Sequence, residues 1–383
     1  MREGPNDKGK NEICQSSVPS KFVGFPLKIT FVLPGVPAPI GGFRTVYEYA
    51  NHLSARGHEV TIVHPRAHRH ADPPANVWQG IRRKGGYFLR KFFTPTVHWM
   101  PMAPKVHMRM TPDLSAASVD DGDVVVATAW QTSDYVAGYP ASKGRKYYLV
   151  MDFDHWFGPQ DLVEASWKFP MKKVAISTFI YEKVVAVTAD PKNVIMIPCG
   201  VAHERFRLFN DLAKRSTIAM MYSPGPYKAA EDGVRALEIC KKKYPDIQAV
   251  VYGRTRRPRG LPSWVEYRSQ IAEEELVQVY NQSKIFLCSS LAEGFALPPA
   301  EAMACGCAVV STRCGGNGEY AEHGVTALLS PPGQPGALAE NVLKLLEDDE
   351  LRVQLAQAGH RRIQRFTWER SADLLEKYFL KDG

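Results

Sequence analysis

The chain has no apolar run near the length that crosses a bilayer, which argues against integral insertion in a membrane. Its first 26 residues are polar, "MREGPNDKGKNEICQSSVPSKFVGFP", and lack the apolar core of a secretory signal. They are expected to form a disordered arm (1–26). The seven cysteines include no CxxC pair and no companion histidine, so no zinc set and no other metal site is expected. Cys305, Cys307 and Cys314 instead suit small buried thiols beside an apolar strand, in a reducing cytoplasm. Acid is nearly missing from one stretch: residues 66–110 carry nine Lys or Arg against Asp72 alone, a surplus equal to the +8 of the whole chain. Trp78, Tyr87, Phe88, Phe92, Phe93 and Trp99 are interleaved with those charges. The mixture suits peripheral contact with an anionic membrane surface, an acidic acceptor, or a solvated basic insertion. No nucleic-acid reader motif accompanies it, so nucleic acid is not an expected partner.

What the chain does have is enough length for two cores and an ordinary soluble composition, 383 residues with 45% hydrophobic and 23% charged. "LKITFVLPG" (27–35) is a short β-forming run ended by Pro-Gly, and "GGFRTVYEYANHLSARG" (41–57) follows with Val46, Tyr49, Ala50 and Leu53 at helical spacing. "HEVTIVHP" (58–65) is a second strand, which completes a βαβ unit and predicts a parallel sheet. Further strands are expected at 123–129, 146–153, 172–177 and 193–201, with a helix over 178–188. The alternation restarts after a loop-like 202–215. Strands are expected at 216–223, 247–253, 264–269, 284–290 and 307–312, and helices at 229–244, 273–282, 299–305 and 335–347. The fold class is therefore α/β, two doubly wound Rossmann-like domains facing across a cleft. Ligands of such sheets lie at the carboxyl ends of the strands.

One segment concentrates chemistry there. "AEGFALPPAEAM" (292–303) sets Glu293 and Glu301 eight positions apart, with Pro298 and Pro299 between them. Either proline suits a first helical position, where φ is preset and the missing N–H would be unpaired anyway. Glu293 then sits in the loop after a strand, and Glu301 in the first turn of a helix. Backbone N–H groups at a helix start favour anions, whereas carboxylates accept hydrogen bonds from hydroxyls. That combination fits a nucleotide joined to a sugar, although an acidic first turn also suits a helix that binds nothing.

"EGFALPPAEAMACGCAVVST" closely resembles the Glu-x7-Glu signature of glycosyltransferase family 4, a GT-B fold family of retaining, nucleotide-sugar-dependent enzymes. "GGFRTVYEYANHLSARGHEVTIV", "KVAIS", "IPCGV" and "FTWERSADLLEKYF" agree in order and spacing. The resemblance spans about 27–383 and is weakest across 66–120. It implies that Glu301 holds the donor ribose hydroxyls and Glu293 the hydroxyls of the transferred sugar. Amides of Gly294, Phe295, Ala296 and Leu297 would serve the sugar and diphosphate. Gly41 and Gly42 would form the glycine loop that approaches the donor phosphates, close enough that a side chain would obstruct it.

Two departures stand out. Family members usually carry an Arg and, five residues on, a Lys-Gly that neutralise the diphosphate; here Ser223 replaces the Arg and Ala229 the Gly, leaving Lys228. Arg254 is the candidate for the missing charge, because a leaving diphosphate needs cations where negative charge develops. Many relatives also place a His after an N-terminal strand. Met151 stands there instead, with Asp152, Asp154 and His155 behind it, and Asp152 is the candidate to contact the sugar or orient the acceptor hydroxyl.

The organisation implied is an N-terminal domain (27–195) on the acceptor side with the basic insertion (66–120), a donor-side domain (196–360), and a C-terminal helix (361–383) packing back on the first. The expected activity is retaining transfer, without metal or cofactor, from a dTDP- or UDP-sugar to a glycan, lipid-linked or other hydroxyl acceptor. "MMYSPGPYKAAEDG" and "YLVMDFDHWF" look more like a rhamnosyltransferase branch. A sugar-nucleotide epimerase and a binding protein without catalysis are the rival readings. The localisation expected is cytoplasmic, at most peripheral on the inner face of the membrane.

Overall fold

The computed structural model describes residues 25–70, 97–151, 153 and 158–381. Expectations for residues 1–24, for 71–96 of the basic stretch, and for Asp152, Asp154 and His155 lie outside the described residues.

The short apolar runs become strands of two all-parallel sheets. The first contains β1 (Lys28–Val32), β2 (Glu59–Pro65), β3 (Val106–Thr111), β4 (Val124–Ala127), β5 (Arg145–Val150), β6 (Lys172–Ala175) and β7 (Val194–Met196), in the order β3-β2-β1-β4-β5-β6-β7. Its helices are α1 (Gly41–Ala55), α2 (Trp130–Gly138), α3 (Gln160–Lys168) and α4 (Thr178–Val187). Phe31, Val32, Val125, Val126, Tyr148 and Leu149 are consecutive residues pointing to opposite faces and all are buried, as expected of a sheet covered on both sides.

The second sheet contains β8 (Thr217–Tyr222), β9 (Gln248–Gly253), β10 (Glu266–Ser269), β11 (Ser283–Cys288), β12 (Ala308–Thr312) and β13 (Ala327–Ser330), in the order β10-β9-β8-β11-β12-β13. Its helices are α5 (Ala230–Lys243), α6 (Glu273–Gln282), α7 (Leu297–Ala304), α8 (Pro335–Glu347) and α9 (Asp349–Ile363), followed by α10 (Trp368–Leu380). Both sheets are doubly wound, as the βαβ alternation requires. Strand order reverses at β1/β4 and at β8/β11, so each sheet opens a crevice at the carboxyl ends of that pair.

Several details differ from the sequence pattern. The basic stretch contributes an edge strand, β3, rather than serving only as an insertion. β13, α2, α3 and α9 are additional elements. The helix after the Pro pair begins at Leu297, with Pro298 and Pro299 behind it, so Glu301 lies just past the first turn rather than in it.

The halves are tied at one end by the returning chain. The Val201 N–H donates to the Phe366 carbonyl at 2.9 Å, and the Thr367 hydroxyl caps α10 by accepting from the Arg370 N–H at 3.1 Å. α10 then lies on the first half: Trp368 meets Tyr49 edge-on at 5.5 Å, Phe379 meets Tyr147 at 4.7 Å, and Arg56 donates to Glu376 at 2.7 Å. One apolar cluster runs from Phe31 and Tyr148 through to Phe286, Phe295 and Met303, so burial continues across the junction of the halves.

Candidate functional site

The loop after β11 lies at the reversal of the second sheet. Glu293 in this loop forms an isolated bridge with Gly315: its N–H donates to Cys314 at 2.7 Å, and its carbonyl accepts from Gly316 at 3.0 Å. A Cβ on Gly316 would collide with the carbonyl of Gly294, which is why this crossing needs glycine. Phe295 is buried against Tyr320 at 5.4 Å and Phe366 at 6.1 Å, so its side chain anchors the loop. Ala296 adopts a left-handed conformation, φ 66°, and caps α7. Among the described residues no acceptor pairs with the N–H groups of Gly294, Phe295 and Ala296.

Lys228 comes from the turn after β8, the neighbouring strand. Its ammonium meets the Glu293 carboxylate at 2.6 Å, and the Ser290 hydroxyl donates to the same oxygen at 2.7 Å. The turn is pinned to the β11 loop, because the Leu291 N–H donates to Tyr227 at 2.7 Å and the Ser289 hydroxyl to Lys228 at 3.2 Å. Burial alone would pull the Lys228 pKa down; the Glu293 carboxylate outweighs it, and the group ends above the ordinary lysine value. Cys288, Ser290, Glu293, Lys228 and Pro298 line a cavity of only about 10 Å³, room for one water. Hydrogen bonding with Cys314 pulls the Cys288 thiol below its ordinary pKa despite its burial.

Glu301, on α7, faces the opposite half of the molecule. Arg44 of α1 reaches it at 3.3 Å and also pairs with Glu273 at the start of α6. Arg205 pairs with Glu48 of α1, and with Glu273 at 3.4 Å. Two guanidiniums and three carboxylates therefore meet across the cleft, with the Arg44 guanidinium over the Phe206 ring at 5.2 Å. Burial raises the Glu301 carboxyl above its ordinary pKa, Arg44 and Arg205 oppose that, and Glu48 adds to it.

Of the residues expected at the site, the structure brings Lys228 against Glu293 and the glycines of α1 close to the 294–297 segment. Gly41 and Gly42 are the first two residues of α1 rather than a loop, and a Cβ on Gly41 would lie 3.9 Å from the Leu297 side chain. A Cβ on Gly42 would lie 3.7 Å from Met151, and one on Gly294 would lie 3.1 Å from the Met151 carbonyl. Gly41, Gly42, Met151, Gly294 and Leu297 thus line one seam. Arg254 is exposed just beyond β9, one strand from β8, and forms no ion pair among the described residues. Ser223 lies half-buried beyond the end of β8. Asp152 lies outside the described residues. The Arg44 and Arg205 cluster was missed: Arg44 stands two residues after the glycine pair, and its partners come from distant segments. Among the described residues no group of three or more His, Cys, Asp or Glu could hold a metal ion.

Residues 205–362 match the family model described as "Glycosyl transferases group 1". A D-inositol 3-phosphate glycosyltransferase of Corynebacterium jeikeium is 34% identical over 120 residues, 31% of this chain and 29% of that protein. The O-antigen chain mannosyltransferase B of Escherichia coli is 31% identical over 106 residues, 28% of this chain and 27% of that protein. The chain thus spans less than a third of the length of either relative. Among solved structures, Anabaena HepE in complex with UDP-glucose superposes with a TM-score of 0.71 at 16% identity, covering 93% of this chain and all of that one. Sucrose-phosphate synthase from Thermosynechococcus elongatus gives 0.67 at 16% identity, over 92% and 98%. The architecture shared with these structures is the GT-B fold, two Rossmann-like domains facing across a cleft.

Proposed function

We propose that this chain is a glycosyltransferase that moves a sugar from a nucleoside diphosphate sugar to a hydroxyl acceptor, with retention at the anomeric carbon. The observation that carries the reading is the meeting of Lys228 and Glu293 at one strand-order reversal, beside amides 294–296 that have no acceptor among the described residues, with Glu301 on the helix that follows. The amides and Lys228 would receive the diphosphate, Glu293 the hydroxyls of the transferred sugar, and Glu301 the ribose. Ribose can reach Glu301 only when the Arg44 guanidinium moves away, and the 10 Å³ cavity must widen for a sugar. Binding therefore rearranges two ion pairs, with donor groups replacing the protein's own partners.

In this reading the protein positions two substrates and stabilises the departing diphosphate, whose oxygen takes the acceptor proton on the same face. Lys228 supplies one cation. Arg254, in the neighbouring loop, is proposed for the second, in place of the arginine that Ser223 displaces. Asp152 is proposed to orient the acceptor hydroxyl. Transfer is proposed to need no metal; loss of activity in EDTA, with rescue by magnesium or manganese, would overturn that. The donor is proposed as a dTDP- or UDP-sugar, with rhamnose among the candidates, and the acceptor as a glycan or lipid-linked glycan. The basic segment is proposed to hold the acceptor or rest peripherally on an anionic membrane from the cytoplasmic side.

A thermal-shift screen against nucleoside diphosphate sugars tests the donor, since a ligand at a hundred times its Kd stabilises by about 2.7 kcal/mol. Incubation of that donor alone, then with glycan acceptors, tests the reaction, and NMR of the product anomer tests retention. An altered sugar formed from donor alone would mean epimerisation; stabilisation without any turnover would mean a binding protein.

A further inference from the structure

A second cavity, with a volume of about 690 Å³, is lined by residues of the second half and by none of Lys228, Glu293 and Glu301. It is walled by the segment after β12 and by the C-terminal end of α9. Four arginines line it, Arg313, Arg361, Arg362 and Arg365, against the single carboxylate of Glu322. All four side chains belong to exposed residues, and among the described residues none of them forms an ion pair. Arg362 donates once, to the Glu319 carbonyl at 2.9 Å; no acceptor is bonded to the guanidiniums of Arg313, Arg361 and Arg365 among the described residues. Favourable interaction with a helix C-terminus accounts for Arg361 and Arg362 in the last turn of α9. It does not account for Arg313, which arrives from a different element, or for the concavity they share. Tyr320 is buried at the cavity wall and donates to the Ala296 carbonyl at 2.6 Å, so the wall is held in shape.

Like charges gathered around a concave space repel one another and raise the local concentration of anions. Guanidinium forks match phosphate oxygens in pairs, and four forks offer more donors than one phosphate accepts. We propose that this cavity binds a soluble, compact polyphosphate anion, at a site separate from the donor cleft. Arg361 and Arg365 form one wall of that site and Arg313 the other.

The test is calorimetric titration of the whole chain with inorganic tripolyphosphate, at ionic strength held constant with sodium chloride. A saturable binding step is expected that is weakened at least tenfold in Arg361→Gln/Arg365→Gln and persists in Lys228→Ala, which removes only any binding at the proposed diphosphate site. Arg313→Gln, on the facing wall, is expected to weaken it as well and serves if the double variant fails to fold. Binding lost in Lys228→Ala but intact in the arginine variants would place the anion in the donor cleft and overturn the proposal. Heat no greater than that from sulfate at matched ionic strength would overturn it too. So would binding to vesicles of anionic phospholipid without binding to soluble tripolyphosphate.

Discussion

Lys228 and Glu293 hold each other in place: the pair is 2.6 Å long, and their side chains are only 14% and 11% exposed. Removing one partner leaves the other charge poorly solvated, which costs more than the pair itself contributes. Lys228→Ala and Glu293→Gln should each lower the urea midpoint, and the double variant should lose less than their sum, with a coupling of about 0.5–3 kcal/mol. Strict additivity would mean the two do not meet in solution. Transfer by Lys228→Ala should fall about 10²–10³-fold, the typical loss when one preorganised charge-stabilising donor is removed. Because the folded-state pKa of Lys228 is raised, its contribution is full below the ordinary lysine value and fades only as pH rises through the raised one. It therefore gives no pH dependence near neutrality. The neighbouring Ala229 has φ 42°, a left-handed conformation unfavourable for a residue with a Cβ. Ala229→Gly should stabilise the protein by up to about 1 kcal/mol in urea unfolding. A loss would mean that the Ala229 methyl contributes packing larger than that strain.

At the level of elements, α7 carries a buried carboxylate at its fifth residue. Glu301 has a raised pKa, so the folded state holds this proton more tightly than the unfolded state does. Its contribution is then most favourable below the ordinary value of 4.5 and is lost as pH climbs through the raised one. Glu301→Gln mimics the protonated form, and Arg44 keeps Glu273 and Glu48 as partners. The variant should be more stable than the parent at neutral pH, with the gap closing below the ordinary carboxyl value, while donor affinity falls about 10–100-fold for a lost charged hydrogen bond. Unfolding followed across pH, beside a donor titration, checks both; a variant less stable at neutral pH would show that the Arg44 contact outweighs the burial. Much of this element was legible beforehand. Val250, Val251 and Phe286 stand in runs too apolar for an exposed strand, and the prolines fix where the helix can begin. β3 was not legible, because "VHMRMT" has a half-exposed edge-strand pattern inside a stretch dominated by charge. Nor was the left-handed Ala296 that moves the start of α7 back to Leu297, since no glycine or asparagine marks it.

Across the whole molecule, the two sheets could be read separately, but their contact could not. Arg44 and Glu48 share α1 at i,i+4 spacing, but Arg205, Glu273 and Glu301 come from three other places in the chain, and no spacing rule links them to α1. Their contact joins the halves at the carboxylate proposed for the ribose, so under the proposed function donor binding and this interdomain clasp would compete for Glu301. A ligand shifts such an equilibrium only through its differential affinity for the two arrangements. Arg44→Ala weakens the clasped arrangement and leaves in place the carboxylate proposed to bind the ribose. The ligand-free variant should therefore melt lower than the parent, while the rise in midpoint produced by saturating donor should be larger, since less of the binding energy is used to open the clasp. Hydrogen exchange should show α1 and α6 losing protection in the ligand-free variant and recovering it with donor. If Arg44→Ala instead abolishes the donor-induced rise, the guanidinium is a donor contact, and the Arg44–Glu301 pair is part of the binding surface rather than its competitor.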